Sequence, residues 1–272
     1  MSLRVHKPAL PLSRYVELIW RETNSGALQP RQRVYPNGAM ALAIHLKRPT
    51  MCFYVDDAPQ SIRVPLLAGP YSRSFHIDPS DSTAVIGVLF HPGAARAFFP
   101  VAAHELHNAD IALSELNPAE ADRLLNDVCS ESGEHAQMLA VERYLDRKLT
   151  NAEPAHPAVR FAVEQLSRDD GARVRQIQLA TGLSHTRFIQ LFREHVGLTP
   201  KLFARVRRFR TLLGHIKKGI PVNWVEVATD CGYFDQAHLI RDFRTFAGIT
   251  PLEYSRTMPD SDRTLPKTAI MS

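Results

Sequence analysis

The stretch CGYFDQAHLIRDF, residues 231–243, places four side chains of reactive types within twelve positions: Cys231, Asp235, His238 and Asp242. Thiolate, imidazole and carboxylate groups are the ligands of zinc sites and the parts of nucleophile–base pairs. They form such a site only if they converge on one point, whereas on a helix their spacing turns them in different directions. The neighbouring sequence predicts the second arrangement.

The elements that position these residues belong to a repeat. The segments FREHVGLTPKLFAR, 192–205, and FRTFAGITPLEYSR, 243–256, match in frame at an offset of 51 residues. In each copy a glycine, Gly197 or Gly248, ends a helix, and a Thr-Pro pair begins the next one with threonine as N-cap and proline in the first turn. The same helix–glycine–helix arrangement is therefore predicted twice.

The residues before each copy predict a helix-turn-helix unit. The first unit, at about 173–196, turns at Gly182, and the second, at about 223–247, turns at Gly232. The apolar residues predicted to face inward are Val174, Ile177, Phe188, Leu191, Phe192, Trp224, Val227, Ala228, Leu239, Ile240 and Phe243. In such a unit the second helix enters the major groove of DNA, where its exposed polar residues meet base edges.

A helix of about 18 residues, from about Pro200 to Lys217, is predicted to join the two units, and at 1.5 Å per residue it is roughly 27 Å long. This length would hold two recognition helices near the roughly 34 Å that separates adjacent major-groove faces. The helix carries the basic text RVRRFR. Its arginines form either a solvated face or a set divided between phosphate contacts and structural pairing, and the flanking units favour the second interpretation.

Charge is unevenly distributed along the 272 residues, whose net charge is +5. Residues 156–257 carry 16 Lys/Arg against 9 Asp/Glu, a net +7, and the rest of the chain carries 17 against 19. Such a confined positive excess is expected for a domain with a polyanion partner, although a soluble basic domain without that partner would show it too. The chain has no signal-peptide pattern and no run of about 20 apolar residues, so we expect a cytoplasmic protein.

The C-terminal part resembles a known family. The GLTP and GITP steps, the tandem units and the text CGYFDQAHLIRDFR are similar to the DNA-binding domain of AraC/XylS-type transcriptional regulators over residues 157–257. In that family the second unit carries a small residue, a Gly-aromatic pair and an Asp/Ser-Gln pair. The matching residues are Ala228, Gly232, Tyr233, Asp235 and Gln236. The first unit departs from the pattern, because Gln178 stands where a small residue lets the two helices pack closely.

The resemblance implies which residues meet DNA. Those placed toward base edges are His185, Thr186 and Gln190 in the first recognition helix and Gln236, Ala237 and Arg241 in the second. Those placed toward phosphates are Arg187, Arg193, Arg205, Arg208, His238 and Arg244. Arg241 is the strongest candidate, because a guanidinium donates two hydrogen bonds to guanine; its alternative is a salt bridge on the helix surface to Asp242 or a neighbour. Asp235 stands where an N-cap belongs.

The N-terminal half predicts a β-rich domain. Short apolar runs, among them 39–46 and 84–90, are separated by Pro, Gly, Asn and Asp and are typical of strands. From about 114 to 150 the pattern becomes helical, with Asn117 as a candidate N-cap and Pro118 in the first turn. We expect two helices there, packed on each other or on a second subunit.

The sequence therefore predicts an α+β chain of two domains. Residues 1–113 form a β-rich, cupin-like effector or sensor barrel, followed by a helical dimerisation and connecting segment at 114–150. Residues 157–257 form an all-α domain whose two helix-turn-helix motifs are joined by the long helix. A linker at 151–156 and a flexible tail at 258–272 complete the division.

The stretches VYPNGAMALAIHL and VIGVLFHPGAARAFFPVAAHEL resemble a sensor domain attached to some members of the family, which implies an effector site. The residues that either line its pocket or simply pack the barrel are Tyr35, His45, Phe53, Tyr71 and Phe75. The histidines lack the spacing of a cupin metal site, so no metal is expected. Neither a phosphate-binding glycine loop nor a catalytic triad order is recognisable, and we expect no cofactor and no enzymatic activity.

We interpret the chain as a sequence-specific DNA-binding transcription regulator. The resemblance implies double-stranded promoter or operator DNA as partner, a small-molecule effector, a homodimer, a contact with RNA polymerase and no membrane. Two alternatives stay open: a ligand-independent dimeric regulator, and an enzyme fused to a DNA-binding module, with Cys52 or Cys129 as its nucleophile. We expect these two cysteines and Cys231 to be buried, reduced thiols, because they lie far apart without a CxxC pair.

Overall fold

The N-terminal half folds as two antiparallel sheets. The computed structural model of the protein describes residues 2–23, 31–55, 57–78, 84–149, 154–168, 173–216 and 222–257. The strands in these ranges are β1 (Ser2–His6), β2 (Val16–Thr23), β3 (Gln32–Val34), β4 (Ala41–His45), β5 (Thr50–Val55), β6 (Ala58–Arg63), β7 (Leu66–Ala68), β8 (Phe75–Ile77), β9 (Ala84–Phe90) and β10 (Asp110–Ala112). Within the described residues, one sheet has the order β1-β2-β9-β4-β7-β10 and the other the order β3-β8-β5-β6.

Strand β9 lies in the middle of the larger sheet. Val88 is paired with Ile19 of β2 on one side and with Leu42 of β4 on the other. All three side chains are buried in one apolar core, which is the reason an uninterrupted apolar run such as AVIGVLF forms a strand there. The runs predicted as strands at 39–46 and 84–90 are β4 and β9, so the β-rich prediction is confirmed.

Three helices follow the sheets: α1 (Leu113–Leu116), α2 (Pro118–Cys129) and α3 (Glu134–Leu149). Asn117 is the N-cap of α2, because its side-chain oxygen accepts a hydrogen bond from Glu120 N at 3.2 Å. Helices α2 and α3 pack on each other and bury Val128 and Val141 in the same core as the larger sheet. Their apolar faces are therefore covered within the chain.

The C-terminal part is helical: α4 (Pro157–Arg168), α5 (Val174–Ala180), α6 (His185–Val196), α7 (Pro200–His215), α8 (Trp224–Asp230), α9 (Gln236–Ala247) and α10 (Pro251–Thr257). Aromatic rings join the central helix to both units. The ring centroids of Phe192 and Phe203 are 5.6 Å apart, which links α6 to α7. Those of Phe209 and Phe243 are 5.3 Å apart, which links α7 to α9. The two units thus share one apolar core.

The connecting helix α7 is shorter than the sequence predicts. It ends at His215, because Ile216 is extended with φ −85° and ψ 119°. Its 16 residues span about 24 Å at 1.5 Å per residue. The predicted end at Lys217 lies outside the described residues, as do 151–153 of the predicted linker and the whole predicted tail, 258–272.

The expectation of three buried cysteines is wrong. Cys231 is buried, but Cys52 is only partly buried and Cys129 is exposed. Cys129 is the last residue of α2, where the helical register turns it away from the core that holds its neighbour Val128. All three are free thiols. Among the described residues, no helix is both long enough and apolar enough to span a membrane.

Candidate DNA-binding surface

The first helix-turn-helix unit consists of α5, a tight turn and α6. Gly182 makes the turn with φ +70°, in the left-handed region that favours glycine. Helix α6 begins after Ser184, whose side-chain oxygen accepts a hydrogen bond from Arg187 N at 3.3 Å. The departure at Gln178 has a structural role, because its side-chain amide donates a hydrogen bond to Leu183 O and so ties α5 to the turn. A polar residue is accommodated where the family has a small one.

The second unit consists of α8, a turn and α9. Gly232 has φ +68°, and Tyr233 N donates a hydrogen bond to Ala228 O at 2.8 Å, which closes the turn. The predicted N-cap is confirmed, because Asp235 Oδ1 accepts a hydrogen bond from His238 N at 2.6 Å. An anionic cap at this end of α9 also interacts favourably with the helix dipole.

The residues placed toward base edges are all exposed: His185, Thr186, Gln190, Gln236, Ala237 and Arg241. They lie in the N-terminal halves of α6 and α9, the part of a recognition helix that contacts bases. On α6, Arg187 Nη1 donates a hydrogen bond to Gln190 Oε1 at 3.2 Å, so a predicted phosphate contact and a predicted base contact are neighbours. The alternative partner of Arg241, Asp242, is held instead by Arg205.

Of the residues placed toward phosphates, three arginines are exposed, whereas the two arginines of α7 contact other side chains of the protein. Arg187, Arg193 and Arg244 are exposed, as a phosphate contact requires. The guanidinium of Arg208 lies 5.2 Å from the centre of the Tyr233 ring, so part of its side chain packs on the second unit.

Arg205 has a structural partner rather than a free guanidinium. Its Nε and Nη2 donate hydrogen bonds to Asp242 Oδ1 at 3.1 and 2.7 Å, and its charge lies 5.2 Å from the centre of the Phe246 ring. This forked contact joins α7 to α9. We therefore correct the assignment of Arg205 to phosphate: the pairing with Asp242 was hidden because the two residues lie 37 positions apart.

The four reactive side chains of the opening stretch do not converge. Cys231 is buried at the end of α8, Asp235 caps α9, and Asp242 is bound by Arg205. His238 packs with its ring centroid 5.3 Å from that of Tyr233 and its Nε2 3.8 Å from Asp242 Oδ2. In the part of the chain that the structure describes, no group of three His, Cys, Asp or Glu side chains is arranged to hold a metal ion.

Sequence reasoning missed one residue of this surface, Phe234. Its side chain is 92% exposed, although its neighbour Tyr233 is buried and the next residue, Asp235, caps α9. Its exposure forfeits the free energy of burying the ring and leaves the ring in solvent two residues before Gln236. Its position directly before the N-cap Asp235 was the one feature of the sequence that could have placed Phe234 on this surface.

Three of the five residues predicted for an effector pocket come together. The ring centroids of Tyr71 and Phe75 are 4.4 Å apart and those of Phe53 and Phe75 are 6.3 Å apart. His45 is buried in β4 of the six-stranded sheet, whereas Phe53 and Phe75 lie in β5 and β8 of the other. Tyr35 belongs to the apolar core of the C-terminal helices, so we exclude it from this cluster.

A buried carboxyl group adjoins the aromatic cluster. Burial raises the pKa of Asp110 to about 6, although the neighbouring Tyr71 hydroxyl and Gly69 N favour the ionised carboxylate and act in the opposite direction. Burial, together with the negative charge of Asp110, raises the pKa of Tyr71, so its hydroxyl stays protonated. A separate cavity of about 460 Å³ is lined by other residues: Ala9, Leu10, Pro11, Glu142, Asp146 and Leu149.

Two family models match the chain. Residues 161–257 match a model described as a helix-turn-helix domain, and residues 4–112 match one described as a domain of unknown function (DUF6597). Together with two recognition helices on one shared core, the first match defines a tandem helix-turn-helix protein of the DNA-binding class. Over these residues the match confirms the resemblance to the DNA-binding domain of AraC/XylS-type transcription regulators that the sequence shows.

Comparison with known proteins gives one curated relative and several solved structures. An uncharacterized HTH-type transcriptional regulator of Haemophilus influenzae is 25% identical over 98 residues, which are 36% of this chain and 32% of that protein. The match thus spans about a third of the relative's length.

Structures of ToxT from Vibrio cholerae are among the solved structures that the chain resembles. One is 11% identical with a TM-score of 0.42 and covers 94% of this chain and 98% of that one. Another, bound to (E)-4-(8-methylnaphthalen-1-yl)but-3-enoic acid, is 13% identical with a TM-score of 0.43 and the same coverage. At TM-scores below 0.5 these likenesses carry no argument about ligand or mechanism.

Proposed function

We propose that the protein is a sequence-specific DNA-binding transcription regulator of the AraC/XylS type. The observation that carries the proposal is the exposure of six polar or small residues on the N-terminal halves of α6 and α9, two helices that share one core. Two recognition helices attached to one helix of about 24 Å suit successive major grooves on one side of DNA. The net charge of +7 over 156–257 supports binding to a polyanion.

The proposal includes the division into domains that the sequence predicts. The matches at 4–112 and 161–257 support it, because they fall within the predicted sensor and DNA-binding domains. A homodimer, a contact with RNA polymerase and action in the cytoplasm are also part of the proposal, and they rest on the family alone.

The test is selection of DNA from a random pool by the purified full chain, followed by affinity measurements at one stated salt concentration. We expect the selected sequence to bind at least about 10³-fold tighter than a scrambled one. Arg241→Ala should relax the preference at one base position by about 1–3 kcal/mol, because it removes a donor pair.

Arg168→Ala is the matched control for Arg241→Ala. Arg168 is an exposed arginine on α4 that pairs with Glu164 and lies outside both helix-turn-helix units, so its loss removes the same charge. We expect unchanged base preferences for this variant. Binding of the wild type to selected and scrambled DNA with equal affinity would refute the proposed function.

A small-molecule effector in the N-terminal domain is the second part of the proposal. The cluster of Phe53, Tyr71 and Phe75 beside Asp110 supports it, because ligand sites are lined mainly by apolar and aromatic side chains with a few polar groups that fix the ligand's orientation. An effector changes promoter occupancy only if it binds two states of the protein with different affinity.

A thermal-shift screen of small molecules tests this part. A ligand that raises the Tm of the wild type but not of Phe75→Ala is the expected result. Specific DNA binding without any stabilising ligand would favour the ligand-independent alternative. The enzyme alternative requires a thiol nucleophile, so Cys52→Ser combined with Cys129→Ser should abolish the protein's function if that alternative holds. We expect the function of this variant to stay intact.

A further inference from the structure

The N-terminal domain supplies part of the core of the DNA-binding helices. Tyr35, the residue after β3, is 5% exposed, and its ring centroid lies 6.1 Å from that of Phe209 in α7 and 5.6 Å from that of Tyr254 in α10. Three residues further on, Gly38 packs on Phe203, where an added Cβ would lie 3.0 Å from the ring. These contacts fall on α7, the helix that joins the two units, and on α10, whose Tyr254 ring centroid lies 5.5 Å from that of Phe243 in α9.

The C-terminal end of α9 is held by two side chains of the N-terminal domain. Arg33 Nη1 and Ser74 Oγ both donate hydrogen bonds to Ala247 O, at 2.8 and 3.1 Å. Ala247 is the last residue of α9, where carbonyl groups have no partner within the helix and a positive charge is favourable. Arg33 is oriented for this contact, because its Nε donates to His76 Nε2 at 3.1 Å.

The C-terminal end of α6 is held in a similar way. Glu194 forms an ion pair with Arg96 of the N-terminal domain. Gly197, which ends α6, lies so close to Pro70 and Ala103 that an added Cβ would overlap with both. One domain therefore contacts both recognition helices at their C-terminal ends and leaves the exposed N-terminal halves free.

We propose that the N-terminal domain is a brace that fixes the distance and angle between the two recognition helices, with Tyr35 as its central positioning residue. The inference rests on the proposed function. It adds that the N-terminal domain sets which separation of the two recognised DNA segments the protein can bind. Within the C-terminal helices, α6 is joined to α7 by the Phe192–Phe203 pair, and α9 is joined to α7 by Phe209 with Phe243 and Phe246 and by the Arg205–Asp242 contact. Contacts from one body to both units remove the bending and twisting that α7 would otherwise allow.

The brace has a consequence that does not require DNA. Spin labels at Gln190→Cys and Thr245→Cys, exposed positions on α6 and α9, report the distance between the helices in the full chain. The two accessible native cysteines are first changed to serine, while Cys231 is buried and stays. We expect one narrow distance distribution for the otherwise wild-type chain and for Tyr35→Phe, and a broad one for Tyr35→Ala. An unchanged width in Tyr35→Ala would overturn the brace.

Two further variants separate the brace from general stability. Tyr144→Ala removes a tyrosine that is 2% exposed in the core of the N-terminal domain, so its distribution should stay narrow. If Tyr35→Ala does not fold, Arg33→Met combined with Ser74→Ala removes both donors to Ala247 O and should broaden the distribution. Broadening in Tyr144→Ala equal to that in Tyr35→Ala would contradict a specific role.

The second consequence concerns DNA. On the selected sequence, moving the two recognised segments apart or together by one base pair should weaken wild-type binding by at least about 10-fold, a loss like that of a mismatched base pair. Tyr35→Ala should keep its base preferences, but its binding affinity should fall by less than about 3-fold when the spacing is changed in the same way. An equal loss in both proteins refutes the brace. If the wild type shows no sequence preference, the proposed function is refuted. The spin-label distance measurement does not use DNA, so it still tests whether the N-terminal domain acts as a brace.

Discussion

The forked contact between Arg205 and Asp242 predicts an asymmetric loss of stability. The side chain of Asp242 is 4% exposed and that of Arg205 is 33% exposed. Arg205→Ala leaves a buried carboxylate, with His238 Nε2 3.8 Å away, whereas Asp242→Ala leaves a guanidinium that water can reach. Removing one partner of a buried ion pair costs about 3–5 kcal/mol. We therefore expect Arg205→Ala to lower the free energy of unfolding by about 3 kcal/mol and Asp242→Ala by about 1–2 kcal/mol.

Urea unfolding measures these two values. Trp224 begins α8 and Trp20 lies in β2, so in a Trp20→Phe background the tryptophan fluorescence reports on the C-terminal helices. Equal losses, or a larger loss for Asp242→Ala, would refute the reasoning from burial. The same variants test the role in DNA binding, because a phosphate contact would lower the slope of log K against log salt by about one. We expect the Arg205→Ala slope to equal that of the wild type.

Two further predictions follow from backbone and titration. Gly197→Ala should lower the free energy of unfolding by about 3 kcal/mol or more, because the new Cβ meets Ala103 O at 2.7 Å in addition to the strain at φ +85°. Gly182→Ala, at φ +70° with open space around it, should cost only about 1–2 kcal/mol in the same urea titration. Burial, with the Arg33 charge, lowers the pKa of His76. The stability gained by keeping this imidazole neutral is therefore fully present above about pH 6.5, and it is lost as the pH falls through the lowered pKa. As the pH falls below about 6.5, the free energy of unfolding of the wild type should therefore fall faster than that of His76→Gln. Parallel plots of this free energy against pH would contradict the lowered pKa of His76. Asp110, whose raised pKa makes stability rise as the pH falls, is present in both proteins, so its effect cancels in the comparison.

Features set by neighbouring residues could be predicted from the sequence. The N-cap Asp235 and the turn at Gly182 were predictable, because a capping side chain and a left-handed backbone need only a few adjacent residues. The strands β4 and β9 were predictable for the same reason, since a short apolar run between turn residues identifies them locally.

Contacts between distant residues could not be predicted. Arg205 looks like a phosphate contact in the text RVRRFR, and only the packing of α9 against α7 brings Asp242 to it. Tyr35 suits the interior of a barrel as well as the core of a helical domain, and its contact with Phe209 joins residues that are far apart in the sequence. The exposure of Cys129 depended on the helical register at the end of α2.

The most direct test of the central claim is a hydroxyl-radical footprint of the full chain on its selected DNA. If α6 and α9 both enter the major groove, two protected patches should lie on one face of the duplex, separated by about one helical turn of 10–10.5 base pairs. Arg241→Ala should weaken protection at the patch bound by α9 and leave the other in place. A single protected patch, or protection spread evenly along the DNA, would contradict the claim that the two helices read DNA together.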